Sequence, residues 1–300
     1  MTIHDARTPA AGARGVTRRE WLGAGTLLLA TARPGSSAAE AEAELRIGLV
    51  TDLHYADKPA AGGRRYRQTP AKLAEAAENL TAERIEILVA LGDLVDSADT
   101  LAAEQRYLET IHRELAKIGR ERHYVLGNHC VERLEKEEFL GVVGQERACY
   151  SFDRAGVHFV ILDACFREDG AAYGRRNFKW TDANIPVAQL EWLEADLAAG
   201  RGPTIVFAHQ RLDEAHSHSV RNAARVRESL QRSGRVVAVF QGHSHHNAIQ
   251  EIAGIRYCTL AAMVDGDAPE SNAYAVLRIG GDGSIHVRGF RRQQGYDWPA

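Results

Sequence analysis

The chain has 300 residues, 45% of them hydrophobic and 26% charged, with a formal net charge of −3. This composition suits a globular protein of one large or two small domains. It leaves no global basic field, so no nucleic-acid partner is expected, and an anionic substrate must be attracted by local groups. The four cysteines, Cys130, Cys149, Cys165 and Cys258, form no Cys-x-x-Cys pair, which argues against a zinc ribbon or a thioredoxin-type site. Their spacing identifies no disulfide, and buried reduced thiols are the plainer reading.

Residues 1–44 read as a targeting segment and linker rather than as fold. Thr17-Arg18-Arg19-Glu20-Trp21-Leu22 precedes a short apolar stretch ending at Ala30, the pattern of a twin-arginine export signal. Ser36-Ser37-Ala38 offers a cleavage site. The apolar stretch falls short of the ~20 residues needed to span a bilayer, so no stable membrane anchor is expected. The expectation is export to the periplasm or beyond by the twin-arginine machinery, which carries folded proteins.

Residues 45–300 read as one domain in which apolar runs alternate with helical patterns. Strands are expected at Arg46–Val50, Ile87–Leu91, His123–Leu126, Tyr150–Asp153, Val157–Leu162, Thr204–Ala208, Val236–Phe240, Ile255–Leu260, Ala273–Ile279 and Ser284–Gly289. Helices are expected at Ala71–Glu83, Leu101–Ile118, Val187–Ala199 and Val220–Ser233. The strand–helix–strand order of the first half predicts a largely parallel α/β sheet. The strands after Gly254 should be mostly antiparallel, with Asp282-Gly283 turning a hairpin.

Five of the strands end in residues that bind metals. Asp52 and His54 follow the first, two apart, so that at an extended strand end they face the same way. Asp93 follows Gly92, Asn128 and His129 follow Gly127, His209 follows Ala208, and His243 and His245 follow Gly242. Each fragment alone has an ordinary explanation: a turn, a helix cap or a hydrogen-bonded core histidine. Ligands of open α/β sheets, however, gather beyond the carboxyl ends of the strands. Seven oxygen and imidazole donors there, with no thiolate, suit a pair of divalent cations, and such pairs promote phosphoryl transfer.

This ordered set resembles the calcineurin-like metallophosphoesterase superfamily, over essentially all of Leu45–Gly289. The resemblance implies a four-layer α/β/β/α sandwich. It implies that Asp52, His54, Asp93 and His245 hold one metal, and that Asp93, Asn128, His209 and His243 hold the other. The two cations would lower the pKa of a bridging water to supply hydroxide. His129 matches an outer-sphere catalytic histidine of the family, and Asp96 the acid that orients it. Three stretches are similar to the manganese-dependent ADP-ribose/CDP-alcohol diphosphatase branch: Gly63–Arg67, Asn177–Trp180 with Gln189–Leu193, and Gly254–Leu260 with Asn272–Tyr274.

The chain departs from the family pattern at Cys130, where an acid usually follows Gly-Asn-His, and at Gln210-Arg211 after the fourth-motif histidine. His54 is the commoner superfamily ligand where this branch often has Gln. Arg64, Arg65 and Arg67 are candidates to clamp a second phosphate, and His246 to touch substrate. Phe178 and Trp180 are candidates to stack on a nucleobase or to pack in the core.

The expected activity is hydrolysis of a phosphoester or phosphoanhydride in a nucleotide diphosphate-type small molecule. The expected cofactors are two divalent ions, Mn, Fe or Zn, with Mn favoured by the resemblance. The alternatives are a phosphomonoesterase or broad phosphodiesterase scavenging phosphate, and a non-catalytic metal-binding protein on the same fold.

Overall fold

The computed structural model describes residues 44–300; the expected export signal lies outside the described residues. Twelve strands form two six-stranded sheets. The first sheet contains β1 (Leu45–Val50), β2 (Ile87–Ala90) and β3 (Glu121–Tyr124), which run parallel. It continues from β1 through antiparallel β10 (Ala273–Ile279), β11 (Ile285–Arg291) and β12 (Tyr296–Trp298). The second sheet has β4 (Tyr150–Arg154) at one edge and β8 (Ala248–Ile252) at the other. Between them lie β5 (Val157–Ile161), β6 (Thr204–Phe207), β7 (Val236–Gln241) and β9 (Ile255–Thr259), all parallel.

Strand periodicity explains the layering. In β1 and β2, Ile47, Leu49, Ile87 and Val89 point between the sheets, against Phe159, Ile161, Phe207 and Phe240. Their neighbours Val50, Leu88 and Ala90 point outward, under α1 (Thr69–Ala82), α2 (Leu101–Leu115) and α3 (Lys136–Val143). In α2 the residues Leu108, Ile111 and Leu115 recur at helical spacing and are fully buried. On the far side, α4 (Val187–Ala199) and α5 (Ala223–Ser233) lay Leu190, Leu193, Leu197, Val226 and Leu230 over Val160, Val206, Val239 and Tyr257. The order is therefore helices, sheet, sheet, helices: the four-layer α/β/β/α sandwich the sequence led us to expect.

Three elements escape the sequence patterns. Strand β8 is an edge strand whose middle residues are exposed, so it lacks an apolar run. Strand β12 spans three residues. Helix α3 spans only eight residues, and its start is marked by a reciprocal capping box between Glu135 and Glu138. One orientation also differs from expectation: β9 runs parallel to β7. The β8–β9 hairpin places β8 on the outer edge, leaving β9 to pair with β7 in the same sense. The antiparallel tail thus begins at β10, and the β10–β11 hairpin does turn at Gly280–Ser284. Among the described residues, no helix is long and apolar enough to cross a membrane.

Candidate metal centre

Strands β1, β2, β3, β6 and β7 all end at one edge of the sandwich, and their loops meet there. The loops after β1 and β2 stay zipped beyond the strands: His54 N donates to Asp93 O at 2.8 Å, and Tyr55 N to Leu94 O at 3.1 Å. The two sheets are tied at the same edge, since His243 N donates to Asp52 Oδ2 at 3.1 Å. Two glycines permit this closeness. A Cβ on Gly127 would lie 2.2 Å from Asp93 Oδ1, and one on Gly92 would lie 2.4 Å from His209 Nδ1. Gly92 also has φ +100°, a conformation L side chains avoid.

The backbone here is left-handed to an unusual degree. Asp52, His54, Asp93, His243 and His245 all have positive φ, between 42° and 69°. Such conformations cost free energy and persist where surrounding contacts enforce them, characteristically at functional sites. Here they bend each chain off its strand and aim its side chain inward.

The polar atoms form two clusters about one carboxylate. In the first, Asp52 Oδ1 lies 3.6 Å from His54 Nε2 and 3.4 Å from His245 Nε2. The second brings together Asp93, His209 and His243, with His209 Nε2 at 3.1 Å from Asp93 Oδ2. That same Oδ2 lies 3.6 Å from His54 Nε2, so a single oxygen faces both clusters. The other oxygen, Asp93 Oδ1, is occupied by the amide of His129 at 2.8 Å.

Hydrogen bonding separates the atoms that hold the site together from those left free. Asp52 Oδ2 accepts from Thr51 Oγ1 and His243 N. His209 Nδ1 donates to Leu91 O at 2.7 Å, which leaves Nε2 as the nitrogen that would face a cation. His54 Nδ1 faces Asp96 Oδ2 at 3.1 Å, and His245 Nδ1 faces Asp265 Oδ2 at 3.0 Å. By contrast, Asp52 Oδ1, Asn128 Oδ1, His209 Nε2 and His243 Nε2 are buried without any hydrogen-bond partner. Buried polar atoms rarely go unsatisfied, and four of them on these strand-end loops fit cations held by hard oxygen and imidazole donors.

The electrostatics agree with that fit. Burial opposes ionisation of Asp52 and Asp93, yet the imidazoles around them hold both carboxyls well below the usual range. Reciprocally, despite burial, Asp93 carries His209 up to about 9, and Asp52 with Asp265 carries His245 up to about 10. Burial and the neighbouring His209 push His243 down to about 3, so it stays neutral and ready to donate a lone pair.

The residues around the cluster differ from expectation in several respects. Asp96 does not chiefly serve His129. Its carboxylate receives His54, Arg64 Nη1 at 2.9 Å and Lys58 Nζ at 2.6 Å, while His129 Nδ1 stays 3.9 Å away. The acid nearest His129 Nδ1 is Glu132 Oε2 at 3.1 Å, an ion-pair distance without hydrogen-bond alignment. Glu132 thus supplies the acid that Cys130 does not: Cys130 is buried, its thiol pushed up to about 12 by burial. Although burial opposes it, Asp93 and Glu132 raise the pKa of His129, and its ring packs edge-on to His54 at 4.8 Å.

Of the three candidate arginines, only Arg64 reaches the site. Arg65 pairs with Asp267, and Arg67 with Asp57. His246 is exposed. The additional imidazole packed against His243 is instead His218, with ring centroids 5.5 Å apart. Phe178 is stacked on Tyr173 at 4.0 Å, whereas Trp180 is 44% exposed. Asp265 was missed because it lies in a loop away from the strand-end motifs, and Glu132 because the family pattern looks for the acid at the position of Cys130. For Glu132, an acid three residues after His129 is the one sequence signal that points to it.

Comparison with known proteins places this architecture. Residues 45–247 match the calcineurin-like phosphoesterase family, and the chain belongs to it. The chain is 24% identical over 297 residues to a manganese-dependent ADP-ribose/CDP-alcohol diphosphatase of Danio rerio, covering 77% of this chain and 91% of that protein. A solved dimetal phosphatase from Danio rerio superposes with a TM-score of 0.74 at 22% identity, over 85% of this chain and 98% of that one. GAP50, the anchor in the inner membrane complex of Plasmodium, shares the fold at a TM-score of 0.57 and 14% identity, over 85% and 89%. Family membership and the clustered His and Asp side chains make this a metal-dependent phosphoester hydrolase with a dinuclear centre.

Proposed function

We propose that the protein is an exported dinuclear metallohydrolase that cleaves the diphosphate linkage of a nucleotide-type small molecule. The observation that carries the catalytic part is Asp93 Oδ2, one carboxylate oxygen facing both clusters, at a site where four donor atoms are buried without hydrogen-bond partners. Asp52, His54 and His245 would hold one cation, Asn128, His209 and His243 the other, and Asp93 both. When bound, such a pair supplies a nucleophile at neutral pH and neutralises charge developing on phosphoryl oxygens. Manganese is the favoured metal, in keeping with the manganese dependence of the Danio rerio relative, and nitrogen and oxygen donors admit iron or zinc as well.

The chain's own groups have distinct tasks in this reading. His129 lies at the rim beside His54 and is the group placed to give a proton to a leaving oxygen or to bind the phosphoryl group. Glu132 holds its ring. Arg64, fixed by Asp96, sets a positive charge beside the site for a second phosphate. The diphosphate substrate class is supported by the relative's activity, and export by Arg18-Arg19 with the short apolar stretch that follows.

The test is turnover by the manganese-loaded protein of ADP-ribose, CDP-choline, cyclic nucleotides and simple monoesters. Preference for the first two is expected. Turnover confined to monoesters would transfer the assignment to a phosphomonoesterase, and bound metals with no turnover at all would revive a binding protein. For export, replacing both Arg18 and Arg19 by Lys should retain the protein in the cytoplasm of a host with twin-arginine machinery; unchanged periplasmic recovery would refute that route.

A further inference from the structure

Among the described residues, Trp180 is one of few large apolar side chains that are exposed, at 44%. Burial of an indole is favourable, so an exposed one beside a reactive centre calls for an explanation. Its ring lies 5.8 Å from that of His243 and 5.3 Å from that of His218, so it borders the second cluster directly. A cavity of about 450 Å³ runs from Asn128 and His129 to Trp180, passing Arg176 and Lys179. That volume is in the range of small-molecule sites.

The cavity wall has a definite polarity. Arg176 Nη2 donates to Ser97 Oγ at 2.6 Å, with its Nε 3.7 Å from Glu132 Oε1, so its guanidinium is held at the wall while the side chain stays about half exposed. Lys179, the residue before Trp180, is exposed. Glu132 is the one acid in the lining, and it is already engaged by His129 and Arg176. A ligand reaching from the metal centre into this cavity therefore meets a planar aromatic surface beside His243 and two cations in the same wall. Phe178 also lines the cavity, but it is half-buried with its ring stacked on Tyr173, whereas Trp180 is exposed.

We infer that Trp180 is the platform on which the nucleobase of the substrate stacks, with Arg176 and Lys179 alongside the anionic spacer. The inference rests on the nucleotide diphosphate reading above and adds the residues that would select a base-bearing diphosphate over one without a ring. Stacking is indifferent to which base is presented, because every base has a π-face, so purine and pyrimidine diphosphates should both be accepted.

The test uses the full metal-loaded protein and three probes: CDP-choline, inorganic pyrophosphate and AMP. Trp180→Ala should raise KM for CDP-choline about tenfold with little change in kcat, the usual scale for losing one base–aromatic stack. Trp180→Phe should recover most of that loss, and KM for pyrophosphate should move little in either variant. Equal losses on both substrates would overturn the inference and reduce Trp180 to a support for its loop, as would no loss on either. Should the protein turn over neither compound, the diphosphatase reading fails, but AMP still decides the platform. Quenching of wild-type tryptophan fluorescence beyond that of Trp180→Phe supports it, and identical quenching of the two refutes it.

Discussion

The two halves of the metal centre are built from similar donors but backed differently. Around Asp52, both imidazoles lean on carboxylates: His54 on Asp96 and His245 on Asp265. Around His209, the backing is a backbone carbonyl, Leu91 O, and the remaining donors are the neutral Asn128 amide and an uncharged His243. Carboxylate backing raises the basicity of a ligating imidazole and fixes its tautomer. The Asp52 half should therefore bind its cation more tightly, and the His209 half should exchange first. A chelator titration of the manganese-loaded protein, followed by metal analysis, should pass through a one-metal form.

The largest effect should come from the residue the halves share. Asp93→Ala removes the oxygen that faces both His54 and His209. We expect kcat to fall by roughly three orders of magnitude or more, with bound metal dropping below two per chain. Near wild-type turnover by a two-metal Asp93→Ala protein would refute the shared-carboxylate arrangement.

The next effect should fall on one half only. Asp265→Asn keeps the shape but removes the charge behind His245, and loss of such a partner typically weakens metal affinity by about 10–100-fold. The loss should appear in the tighter of two binding events. Asp96→Asn should act in the same direction with an added consequence, because Asp96 also anchors Arg64 and Lys58. If either variant weakened both sites equally, the division into separately backed halves would be wrong.

How much of this was legible beforehand follows from the geometry. The strand-end donors were readable because a strand followed by Gly and a short polar motif is local information, and the α/β pattern implies that such ends converge. Asp265 was not readable, since it meets His245 through a loop that reaches the site by long-range backbone hydrogen bonds, such as Val264 N to Asp52 O. Nor was the division of the arginines: Arg64, Arg65 and Arg67 are near neighbours in the chain, yet only the first turns inward. Their fates depend on the acids Asp96, Asp267 and Asp57, of which two come from other loops. Strand β8 was hidden for a related reason, because an edge strand facing solvent carries no hydrophobic signature.

Proton linkage offers a subtler way to separate the halves. In the metal-free protein His209 titrates at about 9 and His245 at about 10, so at neutral pH each carries a proton that a cation must displace. Asp52 and Asp93, held below the usual carboxylate range, are already ionised there. Raising the pH therefore removes a competitor, and affinity at each half should rise by up to about tenfold per pH unit. The rise should level off near 9 for the His209 half and near 10 for the Asp52 half. Calorimetry in buffers of different protonation enthalpy would count the protons released. Affinity independent of pH between 7 and 9 would mean that neither imidazole is a ligand.

The smallest effect tests whether the backing itself is supported from a distance. Lys72 is fully buried, and its ammonium donates to Met263 O at 2.7 Å, Asp265 O at 3.0 Å and Gly266 O at 2.8 Å. Burial pulls its pKa down to about 8, yet the three carbonyls provide the hydrogen bonds a buried cation requires. The segment it gathers is the one that carries Asp265 to His245. Lys72→Met keeps the buried methylene volume while leaving those carbonyls unpaired. It should lower stability by about 2–4 kcal/mol, as expected when buried hydrogen bonds to a charged group are lost. It should also weaken the Asp52 half a few-fold without touching the His209 half. Denaturant unfolding and metal titration on the same sample distinguish the two consequences. If stability fell while both metal affinities held, Lys72 would support the loop without positioning Asp265, and the backing of His245 would be independent of the packing beneath it.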